Sequence, residues 1–159
     1  MSSELGEMCE QDFISRITEV LSRCPRVEHG AGATSREILV AEAQLRVAFP
    51  PVLREYLAHF GYLGFGYEQI YGLGAGVPNG LNLVEEAQFI LRMEGYGIPS
   101  ELVPLLMTED GEIFYIDTKR SSGIDCPVVR DLYTSSGFKT VANTFEDWLS
   151  RMIIGSEEG

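Results

Sequence analysis

The strongest constraint on the fold lies in the second half of the chain. The run Leu-Val-Pro-Leu-Leu-Met-Thr (102–108) is followed by Glu109-Asp110-Gly111 and then by Glu-Ile-Phe-Tyr-Ile-Asp (112–117). Both runs are rich in apolar and β-prone residues, and Asp-Gly supplies the positive φ angles of a tight turn. The pattern predicts an antiparallel hairpin over 103–117. Pro104 cannot donate to a ladder, so its strand lies at an edge or carries a bulge.

Helical signals surround this hairpin. From Asp12, a period of 3.6 places Phe13, Ile17, Val20, Leu21 and Cys24 on one face, and Pro25 ends it. Val27 to Ala33 reads as a Gly/Ala-rich loop. Thr34 and Glu37 have the spacing of a capping box and open a second helix that runs to Phe49. Pro50 stops it, and Pro51 suits the first turn of a third helix, with Leu53, Tyr56, Leu57 and Phe60 inward and Gly61 as its C-cap. Phe65 to Leu73 reads as one strand, and Gly74 to Gly80 as a turn-rich connection. Asn82 with Glu85 caps a fourth helix carrying Leu83, Ala87, Ile90 and Leu91. Pro127 to Tyr133 is a further strand. Asn143 with Glu146 opens a last helix bearing Phe145, Trp148, Leu149 and Met152. Helices, then mostly strands, then a helix make an α+β order rather than alternating βαβ units.

The chain has 159 residues, which suits one domain. Residues 1–11 read as a flexible tail, 12–154 as the domain and 155–159 as a second loose tail. The start, MSSELGEMCEQD, has neither the basic nor the apolar region of a signal peptide. The longest uncharged stretch, Gln69 to Val84, is broken by four glycines and Pro78, so it cannot span a membrane. Three cysteines, Cys9, Cys24 and Cys126, make no disulfide framework and no metal-finger spacing. A soluble, cytoplasmic protein is the expectation.

Charge is the sharpest functional signal. The formal net charge is −12, which argues against nucleic acid and against anionic membrane as partners. Between Glu55 and Thr118 stand ten acids and one base, Arg92, whereas fourteen acids and eleven bases lie outside. Such a window is either a solvated surface or a negative face for a basic partner. The aromatics Phe65, Tyr67 and Tyr71 lie within it; aromatic residues serve both as interface anchors and as core.

Catalytic constellations are not readable. His29 and His59 sit in no nucleophile or metal motif, and Cys126, before Pro127, reads as a structural thiol. The stretch Gly72-Leu73-Gly74-Ala75-Gly76 follows a strand, but its spacing is not that of a dinucleotide loop and no Gly-Lys-Ser/Thr follows it; it reads as a permissive turn. Glu109, Asp110 and Glu112 match no calcium-loop spacing. No catalytic residue, cofactor or metal is expected.

In sequence order, Ile38, Glu42, Leu45, Phe49-Pro50, Tyr56-Leu57 and Phe60-Gly61 form a set that resembles the opening of the SUKH superfamily. Glu68 to Leu73 is similar to that family's strand ending in Tyr-Gly-Leu. The hairpin with Pro104, then Pro127-Val128-Val129, then Thr144 to Leu149, follow in the same order. The resemblance spans roughly 27–153; Gly61-Tyr62-Leu63-Gly64 replaces the frequent Asn-Gly-Gly, and extra glycines follow Leu73. It implies a single α+β domain with a mainly antiparallel curved sheet flanked by N-terminal helices and a C-terminal helix. Members include a fungal cell-wall-assembly regulator and bacterial immunity proteins that neutralise toxic effectors, often nucleases. The resemblance implies a protein that binds and neutralises a toxic effector, and the acidic window makes the expected partner a basic toxin domain; the alternative is a regulatory scaffold domain like the fungal regulator. Partner-binding candidates are Tyr67, Glu68, Tyr71, Glu109, Asp110 and Glu112. Nothing in the sequence speaks to oligomeric state.

Overall fold

The predicted hairpin is present: β4 (Leu102–Met107) pairs antiparallel with β5 (Ile113–Asp117). Gly111 at φ 90° makes the turn, and Thr108 and Glu112 close it with an N–H···O bond of 2.8 Å. The register shifts between Pro104 and Leu106, which is the bulge that proline demands. The computed structural model describes residues 13–94, 98–131 and 137–158. The expected N-terminal tail, Cys9, and the end of the strand predicted to reach Tyr133 lie outside them.

Helix α1 covers residues 13–21 and buries Phe13, Ile17 and Leu21. β1 (Val27–His29) follows, where the glycines of this stretch suggested only a loop. Helix α2 (Ser35–Leu45) starts on the predicted capping box: Glu37 N–H donates to Thr34 Oγ1, and Thr34 N–H to Glu37 Oε1. It ends four residues earlier than expected, with Arg46 left-handed at φ 58°. Glu42 explains the early stop. Its buried carboxylate accepts the Phe49 N–H at 2.7 Å and the Arg54 guanidinium at 2.8 Å, which draws residues 46–50 into an extended link. Pro50 also disfavours helical φ/ψ at Phe49. Helix α3 (Pro51–Phe60) buries Leu53, Tyr56, Leu57 and Phe60 and ends on Gly61.

The single strand expected from Phe65 to Leu73 is instead a hairpin. β2 (Leu63–Phe65) and β3 (Glu68–Ile70) pair antiparallel, with Phe65 opposite Glu68. Only Gly66 and Tyr67 lie between, and Gly66 takes φ 57°, which is the glycine-first form of a two-residue turn. The order in this sheet is β1-β2-β3. The chain then passes through Gly72, where a Cβ would fall 1.7 Å from the Gly61 carbonyl oxygen. That oxygen also accepts the Leu73 N–H at 3.0 Å. The glycine-rich stretch is thus a close crossing of two backbones, with no phosphate cradle formed.

Helix α4 (Leu83–Glu94) begins on Asn82, whose side chain accepts the Glu85 N–H as predicted. After the central hairpin come β6 (Val128–Asp131) and β7 (Phe138–Ala142), in a second antiparallel sheet of order β4-β5-β6-β7. β7 had no clear signal in the sequence. The architecture is α+β and antiparallel, as expected, but the described strands form two sheets rather than one. They meet where Tyr71 N–H donates to the Leu105 carbonyl.

Helix α5 (Phe145–Glu158) carries on through the stretch predicted as a loose tail. Its cap is Thr144, which accepts the Asp147 N–H, rather than Asn143 with Glu146. Buried Asp125 reinforces that end by accepting N–H groups from Cys126, Phe145 and Glu146 at 2.7, 2.8 and 3.3 Å. The shared core is aromatic. The Phe145 ring lies 6.3 Å from Phe13 and 5.5 Å from Tyr56, joining α1, α3 and α5. Each such side chain contributes about 1.5–3 kcal/mol by leaving water.

Candidate functional site

Two turns, the end of one strand and one helix face converge on an open cleft of about 820 Å³. The β2–β3 turn lifts Tyr67 to its rim, 92% exposed. β3 and the residue after it bring in Glu68, Gln69 and Tyr71. Helix α4 supplies Glu86 and Phe89, and the β4–β5 turn supplies Thr108, Glu109 and Asp110. Five of the six partner-binding candidates therefore line one cleft. The sixth, Glu112, does not: its carboxylate pairs with Arg130 at 2.7 Å across β5 and β6. Phe65, which lies in the same acidic window, is buried core.

Sequence reasoning missed Glu86 and Phe89 as cleft residues. A signal existed. Phe89 falls off the stripe Leu83, Ala87, Ile90 and is 43% exposed, an apolar ring on the wet side of its helix. Glu86 lies one turn before it, on the same side.

Four carboxylates and no Lys or Arg line the cleft among the described residues. Burial pushes Glu68 above the ordinary carboxylate range, and the charge of Glu109 adds to this. Burial, then Glu85, does the same to Glu86. Tyr71 is pushed up to about 12, by burial first and then by Glu86. In each case burial is the larger cause and a neighbouring carboxylate the smaller one. Arg26 lines a separate groove that shares Tyr67, Glu68 and Gln69 with the cleft.

The same shifts predict a pH dependence of stability. Glu68, Glu86 and Asp125 all hold their protons more tightly folded than unfolded; for Asp125, burial outweighs its three N–H bonds. Their contribution is present below the ordinary carboxylate range and is lost as pH rises through the raised folded values. The thermal midpoint should fall between about pH 5 and about pH 7. Glu68→Gln with Glu86→Gln should flatten that fall. A midpoint that rises over this interval would contradict the assignment.

Other chemistry is poorly provided for. His29 Nδ1 lies 2.7 Å from the Gly30 carbonyl, and His59 packs edge-on against Phe60; neither lines the cleft. Burial pushes the Cys126 thiol up, so it stays protonated. Among the described residues, no three His, Cys, Asp or Glu side chains are placed to hold a metal ion. No described helix is long and apolar enough to cross a membrane.

The fold is thus an α+β domain of two antiparallel sheets with helices packed around them. Residues 11–154 match the family described as SMI1-KNR4 cell-wall, SUKH_5, and the chain belongs to that family. Among curated proteins, none matches the chain.

Proposed function

We propose that the chain is a non-catalytic binding protein of the immunity type, which neutralises a toxic effector by stoichiometric occlusion. The acidic cleft docks on the effector's basic substrate site and excludes the substrate. The observation that carries this reading is the make-up of the cleft: four carboxylates, no base, and the exposed rings of Tyr67 and Phe89. A nuclease is the fitting effector class, because its substrate cleft must be basic to hold a phosphate backbone. Charge complementarity of this kind steers encounter and rejects wrong partners. The family description supports a second reading, a regulatory scaffold that binds cell-wall factors through the same cleft.

Co-expression with the neighbouring open reading frame tests the choice. A neighbour that is toxic alone and harmless beside this chain supports the immunity function. A neighbour harmless by itself favours the scaffold, and a toxic neighbour not rescued overturns the immunity assignment.

A further inference from the structure

We infer that the chain binds a small aliphatic carboxylic acid in a second pocket, of about 330 Å³, formed by the end of α2, helix α4 and the β4–β5 hairpin, with Arg46 holding the carboxylate. This pocket shares no lining residue with the acidic cleft, so the inference stands apart from the docking role.

Two independent observations carry it. The first is the make-up of the pocket. Leu45 lines it from α2, Ala87 and Ile90 from α4, Val103 and Pro104 from β4, and Tyr115 from β5. Protein interiors leave few voids larger than a water molecule, and small-molecule sites run from about 300 Å³ upward. Apart from Tyr115, the polar lining residues Gln44, Arg46, Gln88 and Ser100 are exposed, so polarity is confined to the mouth. Among the described lining residues there is one base, Arg46, and no acid, in a chain with twenty-four acids against twelve bases. The Arg46 guanidinium makes no ion pair among the described residues. The second observation is the Arg46 backbone. It is the only described non-glycine residue with a positive φ, at 58°. Glycine takes that conformation at a helix end without steric cost, whereas a β-carbon strains it. The cap itself needs only the backbone, through the bond from Arg46 N–H to the Glu42 carbonyl. An arginine kept where glycine fits better is explained by what its side chain does at the pocket mouth.

The ligand class follows from these two parts. A guanidinium takes a carboxylate through two parallel N–H···O bonds. Leu, Ile, Val and Pro side chains suit a hydrocarbon tail, which gains by leaving water. The volume suits a short chain rather than a protein loop.

The test titrates the full chain at neutral pH with octanoate and with octanol, taking affinity from calorimetry and location from backbone amide shifts. Octanoate should bind about ten-fold tighter or more than octanol, with shifts at residues 44–46, 87–90 and 98–103. Arg46→Gly removes the guanidinium and relieves the backbone, so the thermal midpoint of the free protein should hold or rise while the octanoate affinity falls to that of octanol. Arg36→Gln, exposed on the same helix and outside the pocket, should leave both affinities unchanged. A purely structural Arg46 would give the reverse, a lower midpoint with octanoate affinity intact, and that result overturns the proposal. Equal affinities for the two probes overturn the role of Arg46. Shifts confined to other residues, or no binding of either probe, overturn the pocket itself.

Discussion

Replacing Gly72 with alanine should cost about 3 kcal/mol or more, a large share of the about 5–15 kcal/mol that holds a domain folded. The new Cβ would lie 1.7 Å from the Gly61 carbonyl oxygen and 2.6 Å from its carbon. Neither atom is a flexible side-chain end that can swing away. Both belong to the cap of α3, and the same oxygen receives the Leu73 N–H. Relieving the overlap therefore separates the two backbones and strands Leu73 N–H. It also pulls on the bonds from Gly72 N–H to Leu81 and from Leu83 N–H to Gly72. Gly80→Ala is the matched control. Gly80 has φ 88° but nothing within 4 Å of an added Cβ, so only left-handed strain is felt, about 1–2 kcal/mol. Urea denaturation of both variants measures the difference. A loss at Gly72 no larger than that at Gly80 would mean that the crossing relaxes easily.

Neutralising the cleft should slow association with the cognate partner by about 10- to 100-fold at low salt, with a much smaller change in dissociation. The variant is Glu68→Gln, Glu86→Gln, Glu109→Gln and Asp110→Asn together. Long-range attraction governs encounter, and it acts before any contact forms. Buried anchors set the lifetime once contact is made. Raising salt from about 0.05 M to about 0.5 M should shrink the gap between variant and parent, as the Debye length falls well below 10 Å. Misfolding is not a rival explanation here. Burial already penalises the charged forms of Glu68 and Glu86, so removing those charges should hold or raise the thermal midpoint. An unchanged on-rate at low salt with the midpoint intact would leave the acids as a solvated surface and place the partner elsewhere.

The elements legible from the residues were those with local chemistry of their own. Asp110-Gly111 between two β-prone runs, Thr34 with Glu37, Asn82 before Glu85, and Pro104 as a bulge each act within a few residues, and each is found where predicted. The misreadings had distant or competing causes. Helix α2 stops early because Glu42 is bonded to Phe49 and to Arg54, twelve residues on. β1 becomes a strand only because β2 folds back beside it. The β2–β3 hairpin was legible in principle, since Phe65-Gly66-Tyr67 has glycine at the first turn position, but the apolar run around it masked the turn. Asp125 carried no sequence signal as a cap, because the N–H groups of Phe145 and Glu146 lie twenty residues or more away in the chain. The candidate site shows the same division. Charge density marked the acidic window, and folding sorted its members, placing Glu109 and Asp110 in the cleft and giving Glu112 to Arg130.

The cleft takes its rim from two tight turns, Gly66-Tyr67 and Glu109-Asp110-Gly111, that belong to different sheets. Tyr67, Glu109 and Asp110 are exposed, and none of the three belongs to the core. On the docking role proposed above, substitutions at the rim would change what it recognises while the folding determinants, Gly72, Glu42 and the aromatic centre on Phe145, stay as they are. If the chain serves immunity as proposed, a lineage facing a changing adversary inherits the scaffold and trades only its fingertips.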